Sequence, residues 1–234
     1  MELLLDTANL HEIERLMDIY PIDGITTNPS IMSSCGDLKR VLSELRRLSV
    51  DLGSLHVQTT EETAEGMVAQ GERLADFFGP NLYLKLPVSS EGIKAMRLAK
   101  AAGLNITATA VFTPLQGLIA AKAGASYIAP YVNRLDDICG DGVSVACEIY
   151  STLKLHGFET KVLGASFKNI GQILALAAYG IHAVTVNPDL MDKIIYHPST
   201  DVGIKLFNKD WQASFSGSHI TDYIADENDP LLKP

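Results

Sequence analysis

Basic charge is scarce in this sequence: 19 Lys and Arg stand against 28 Asp and Glu, a formal net charge of −9 over 234 residues. A chain of that sign repels a phosphate backbone, which argues against general nucleic-acid binding. A small anion remains open, because one local basic pocket suffices. Cysteine is scarcer still, and Cys35, Cys139 and Cys147 form no CxxC pair. That odd count does not suit a disulfide framework and fits a reducing cytoplasm, so a cytoplasmic protein is expected. No run of about 18 uninterrupted apolar residues occurs, so no membrane span is expected. The opening MELLLDT has no basic stretch and does not read as a signal peptide. His11, His156, His182, His197 and His219 show no HxxxH or mixed His/Cys spacing, so no metal site is expected. With 18 Gly and 10 Pro, the chain is neither collagen-like nor low-complexity.

What is present is ordinary globular composition, 47% hydrophobic and 20% charged, in a length that single barrels often have. Short apolar runs recur at 2–7, 24–28, 55–59, 82–87, 105–111, 126–132, 161–166 and 183–187. Between them lie segments such as EETAEGMVAQGERLADFF, whose apolar residues recur three and four apart, the helical period. Thr60, Ser89 and Thr113 read as residues that open helices, and Gly79, Gly103, Gly124, Gly157 and Gly180 follow them as C-caps. Strict alternation of strand and helix predicts a parallel sheet under helices. Eight units in about 220 residues predict one (β/α)8 TIM barrel with an extra C-terminal helix, spanning 1–215. The polar, acidic tail follows at 216–234. An open doubly wound sheet is the alternative, but its Gly-rich first turn is missing: here that turn reads DTANL.

Barrel strands should be nearly continuous Val, Ile and Leu, so polar residues in them carry information. In LYLKLP, alternation puts Leu82, Leu84 and Leu86 on the helix-covered face and Lys85 inside the barrel. A desolvated amine has a lowered pKa, and a neutral amine is what Schiff-base formation needs. The alternative is a lysine that snorkels to the barrel mouth. Other strands repeat the anomaly at their C-terminal ends: Asp6; Thr26 and Asn28; His56 and Gln58; Thr107 and Thr109; Tyr131 with Arg134; Ser166 with Lys168. Thr26 and Thr107 taken singly read as strand-end caps, His56 reads equally as pocket wall or packed histidine, and Lys168 reads as a surface lysine.

Convergence on one end of the barrel permits roles. Asp6 can pair with Lys85 and move protons, and Asn28 can both donate to and accept from a substrate hydroxyl. Gln58, Thr109 and Tyr131 can hold a water through which Tyr131 relays a proton. Arg134 and Ser166 suit a phosphate, assisted by backbone N–H groups of the following helix. Asp136, Asp137 and Asp141 lack calcium-loop spacing and read as a solvated loop. Cys35 reads as a loop thiol, and Trp211 as the anchor of the C-terminal helix.

GITTNPSIM (24–32) and LYLKLPVSSEGI (82–93) resemble the strand-two and lysine signatures of the transaldolase family, in its fructose-6-phosphate aldolase branch. MELLLDTAN, APYVNRLDD, LGASFKN and the 207–215 stretch extend the similarity to about Phe215. The resemblance implies a cofactor-free class I aldolase. Lys85 would form the Schiff base, and Asp6, Asn28, Thr109, Tyr131, Arg134 and Ser166 would surround the substrate. Gln58 and Tyr131 stand where transaldolases typically carry Glu and Phe, which points to the aldolase branch. Free dihydroxyacetone and glyceraldehyde 3-phosphate would then be the products of fructose 6-phosphate. Departures are His56, in place of the branch's aromatic, and the polar strand-eight ending at Asn187. The resemblance also implies a homo-oligomer, a pentamer or decamer. The rivals are a transaldolase that transfers a dihydroxyacetone unit and a non-catalytic sugar-phosphate-binding barrel.

Overall fold

The computed structural model describes residues 1–224; the last ten residues of the expected tail, 225–234, lie outside the described residues. Eight strands form a closed parallel barrel in sequence order: β1 (Glu2–Asp6), β2 (Gly24–Thr26), β3 (Ser54–Gln58), β4 (Leu82–Pro87), β5 (Asn105–Val111), β6 (Tyr127–Pro130), β7 (Lys161–Gly164) and β8 (Ala183–Val186). Pairing of β8 with β1, Ala183 beside Glu2, closes it. The helices are α1 (Leu10–Ile19), α2 (Pro29–Ser33), α3 (Leu38–Leu48), α4 (Ala64–Phe78), α5 (Ser90–Ala101), α6 (Pro114–Lys122), α7 (Val132–Asp136), α8 (Gly142–Leu155), α9 (Ile170–Tyr179), α10 (Pro188–Ile194) and α11 (Pro198–Ser214). This is the TIM barrel that the alternating pattern predicts. No described helix is long and apolar enough to cross a membrane.

Local chemistry sets the helix starts. The Ser89 hydroxyl accepts from the Gly92 N–H to open α5, and Thr113 with Gln116 forms a full capping box on α6 behind Pro114. At α4 the cap is Thr63, not Thr60. Thr63 accepts from the Gly66 N–H, whereas the Thr60 hydroxyl accepts from the Gln70 side chain. At Gly92 the helix comes so close to β4 that any Cβ would meet the Pro87 carbonyl. Gly180 ends α9 in the left-handed conformation, φ 92°.

Leu82, Leu84 and Leu86 are buried under the helices, as alternation requires. Inside the barrel, Leu4, Tyr127, Leu163 and Ala183 form a separate apolar cluster against Tyr83. Between Ala108 and Val111 the β5–β6 register shifts, with Ala110 at φ 56°. Such bulges re-aim a side chain, and this one lies next to Thr109.

Contacts divide the chain into two compact units, Met1–Ile194 and a second that begins at Ile195. The second holds α11 and a 3-10 turn at Ile220–Tyr223. There Trp211 Nε1 donates to the Ser218 carbonyl at 2.9 Å, and its ring packs against Phe215.

Candidate active site

The C-terminal strand ends converge on a cavity. Asp6, Thr26, Asn28, Lys85, Tyr131, Arg134, Ser166 and Thr185 line it, with Ala129, Leu163 and Ala165 as apolar wall. A larger cavity of about 490 Å³ lies near α1 and α3. Its charged groups Asp37 and Arg40 and its His11 are exposed and only the Cys35 thiol is half-buried, so chemistry rather than size identifies the site.

Lys85 is the buried cation of this cavity. Only 6% of it is exposed, and its Nζ donates to the Thr27 carbonyl at 2.6 Å. Burial pushes its pKa below the ordinary lysine range, and the Asp6 charge partly opposes that shift. The lysine therefore does not snorkel; its amine is held inside. Asp6 shows the mirror effect. Burial raises its pKa, while Lys85 and the hydrogen bond from Thr26 oppose the rise.

The direct pairing expected of Asp6 and Lys85 is not made, because no ion pair joins them among the described residues. Each has a neutral partner instead. The Thr26 hydroxyl donates to Asp6 Oδ1 at 2.7 Å and lies 2.7 Å from the Thr185 hydroxyl. With the single Thr26 proton committed to Asp6, Thr185 is the donor in that second bond. Thr26 is thus part of the carboxylate's support rather than a strand-end cap.

Asn28 lies just past β2 because it opens α2: its Oδ1 accepts from the Ile31 N–H at 3.0 Å. The cap occupies the acceptor and leaves the amide's two N–H donors for the cavity it lines. Tyr131 similarly leaves β6 to precede α7, and its hydroxyl lies 2.9 Å from Thr109 Oγ1. The Arg134 guanidinium stacks over the Tyr131 ring at 4.9 Å, which fixes both groups against one wall. Ser166 sits at φ 61°, a left-handed conformation that costs a non-glycine residue about 1–2 kcal/mol. Gln58 stands beside Lys85 in the β3–β4 register, but it does not line the cavity and bonds neither Thr109 nor Tyr131.

His56 is a packed histidine and not a cavity wall. It is fully buried, stacked on Tyr83 at 4.8 Å, with Nδ1 2.8 Å from Thr107 Oγ1. Its Nε2 has no partner among the described residues. Burial and the Lys85 charge push its pKa well below the ordinary value of 6.5, so the ring is neutral. Asn187 also stays out of the cavity, with its Oδ1 accepting from the Leu190 N–H at the start of α10. Lys168 is exposed.

Asp136, Asp137 and Asp141 are engaged, respectively, with Gln172 and Gly142, with Asn133, and with the start of α8. Among the described residues no group of three or more His, Cys, Asp or Glu is placed to hold a metal ion. Sequence reading missed two contributors. Thr185 could have been found from the polar interior position in AVTVN. The Thr27 carbonyl carries no side-chain signal at all.

Comparison with known proteins bears on the fold and on the family. One similar solved structure, described as "Native KDPGal structure", has a TM-score of 0.58 and 12% identity, covering 85% of each chain. Another is a cube-shaped, highly porous protein cage designed by fusing symmetric oligomeric domains. Its TM-score is 0.61 at 10% identity, over 92% of this chain and 78% of that one. At such identities these likenesses show the barrel fold. The sequence profile of the transaldolase/fructose-6-phosphate aldolase family matches residues 3–228, a span that includes all eight cavity-lining polar residues. On that match the chain belongs to the transaldolase/fructose-6-phosphate aldolase family.

Proposed function

We propose that this protein is a class I aldolase that reversibly cleaves fructose 6-phosphate to dihydroxyacetone and glyceraldehyde 3-phosphate. One observation carries the reading: a buried amine, Lys85, shares a cavity with a carboxylate, a phenol and Arg134, which has no ion-pair partner among the described residues. Neutral Lys85 adds to the C2 carbonyl, and the carbinolamine loses water to give an iminium. Asp6, protonated more readily than an ordinary carboxylate, serves these proton transfers. The C3–C4 bond then breaks. Its electron pair moves into the iminium to form an enamine, and the C4 hydroxyl proton passes to a water held by Tyr131 and Thr109, which are already hydrogen-bonded to each other. Protonation of the enamine by the same group and hydrolysis of the resulting iminium release dihydroxyacetone. Asn28 donates to a substrate hydroxyl, and Arg134 with Ser166 grips the phosphate.

The test is release of glyceraldehyde 3-phosphate from fructose 6-phosphate, without acceptor and then with erythrose 4-phosphate. Sustained release without acceptor is expected. Release only with acceptor would make the protein a transaldolase. If neither is seen and borohydride with dihydroxyacetone adds no covalent mass, it is a binding barrel. The same reading carries assembly into a pentamer or decamer. The exposed apolar side chains Val202, Ile204 and Phe207 of α11 support it, and sedimentation analysis checks it.

A further inference from the structure

Arg134 and Ser166 belong to different βα units: one lies in α7 after β6, the other in the loop after β7. A two-point grip on a phosphate works only if the distance between its halves is held. Backbone bonds provide part of the tie: the Val132 N–H donates to the Ala165 carbonyl and the Asn133 N–H to the Ser166 carbonyl, both at 2.9 Å. The remainder passes through one buried side chain, Gln172 in the first turn of α9.

Its Oε1 accepts from the Lys168 N–H at 2.9 Å and the Asn169 N–H at 3.4 Å, the residues that follow Ser166. Its Nε2 donates to Asp136 Oδ2 at 2.6 Å and to Asn133 Oδ1 at 3.2 Å, the residues that flank Arg134. All four hydrogen-bonding positions of this amide are used. Asn133 is itself oriented by donating to Asp137 Oδ1 at 2.9 Å, and Asp136 Oδ1 accepts from the Gly142 N–H at 2.8 Å. The acceptor half of Gln172 closes the helix cap. The donor half serves no cap and reaches only across to α7.

We propose that Gln172 is a positioning residue for anion recognition, joining the Arg134 helix to the Ser166 loop so that substrates carrying a terminal phosphate are preferred. The proposal rests on reading Arg134 and Ser166 as the phosphate grip. Gln172→Glu separates the two halves, because it keeps the oxygen that closes the cap and sets a second oxygen against Asp136. The assay is condensation of dihydroxyacetone with glyceraldehyde 3-phosphate or with glyceraldehyde, which differ only in the phosphate.

For the phosphorylated acceptor, kcat/KM should fall at least about tenfold, the size of losing one hydrogen bond to a charged group, and the change should be carried in KM. For the unphosphorylated acceptor the change should stay within about twofold. Adding Asp136→Asn restores a donor facing an acceptor with reversed polarity and should recover the preference. Asp136→Asn alone keeps the oxygen that accepts from Gly142, sets a donor against the Gln172 amide without adding interior charge, and repeats the test if Gln172→Glu does not fold. An equal loss on both acceptors would show that Gln172 only supports the fold, and would overturn the proposal. Arg134→Ala is run alongside. If it leaves the phosphate preference intact, the grip itself is wrong. If it removes the preference while Gln172→Glu does not, the grip stands and the role of Gln172 falls.

Discussion

Replacing Lys85 with Met removes the proposed nucleophile but keeps an unbranched chain of similar length in the barrel. The structure bears on both activity and stability. While Lys85 is protonated, its Nζ bond to the Thr27 carbonyl is charge-assisted, and its loss costs about 1.5–3 kcal/mol. Against that, an ammonium buried this deeply carries a desolvation penalty of several kcal/mol. For both Lys85 and Asp6 burial outweighs their mutual attraction, so the attraction lost with the lysine is the smaller quantity. Asp6, left alone, can take up a proton. The balance is a gain of about 1–2 kcal/mol, which at this chain length is a rise in Tm of about 2–8 °C near pH 7.

The sign of the pH dependence follows from linkage. The folded pKa of Lys85 is lowered, so the unfolded chain binds more protons between the folded value and 10.5. The cost of burying the lysine is therefore complete below its folded pKa and fades as pH rises toward 10.5. The stabilisation of Lys85→Met should shrink in parallel. Calorimetry at pH 7 and pH 9.5 measures it, and borohydride trapping with dihydroxyacetone, read by mass spectrometry, reports the nucleophile. A variant several degrees less stable would refute the balance drawn between desolvation and hydrogen bonding. A surviving covalent adduct would refute the assignment of Lys85.

Two further outcomes are expected. Tyr131→Phe keeps the ring beneath Arg134 and removes the hydroxyl bonded to Thr109; kcat for release of free dihydroxyacetone should drop about 100-fold with KM little changed. Unaltered steady-state kinetics would remove the phenol from the proton relay. The paired change His56→Phe with Thr107→Val deletes a buried neutral imidazole whose folded pKa lies well below 6.5. Because the unfolded chain protonates that ring first, the parent should lose stability as pH falls below about 6.5, by up to roughly 1.4 kcal/mol per pH unit, and the double variant should lose less. Urea denaturation from pH 7.5 to 5 compares them; identical slopes would mean that folding does not lower the His56 pKa.

The barrel was legible in the sequence because its causes are local. Period-two leucines in β4, helical spacing between strands, and hydroxyl or amide caps act within a few residues of each other. Lys85 stood out for the same reason, as a charge on the interior side of a strand. Even local reading slipped where two hydroxyls competed: Thr60 and Thr63 lie three residues apart, and only the folded Gln70 side chain shows which one is engaged elsewhere. The strand-end polar residues could be listed from alternation, yet their partners could not.

What the sequence by itself determined is the (β/α) alternation, the inward direction of Lys85 and the set of polar strand ends. Only the tertiary structure decided which of those ends meet. Barrel closure brings β8 beside β1, so Thr185 supports Thr26 and through it Asp6. It sets Lys85 on a backbone carbonyl rather than on the carboxylate, and makes Asn28 a helix cap with its donors left over. It also buries His56 below the site and draws Gln172 across to Arg134's helix. Apart from the Asn28 cap, which is local, these are contacts between residues far apart in the chain, made where the folded strands and helices meet, and no spacing along the chain encodes them.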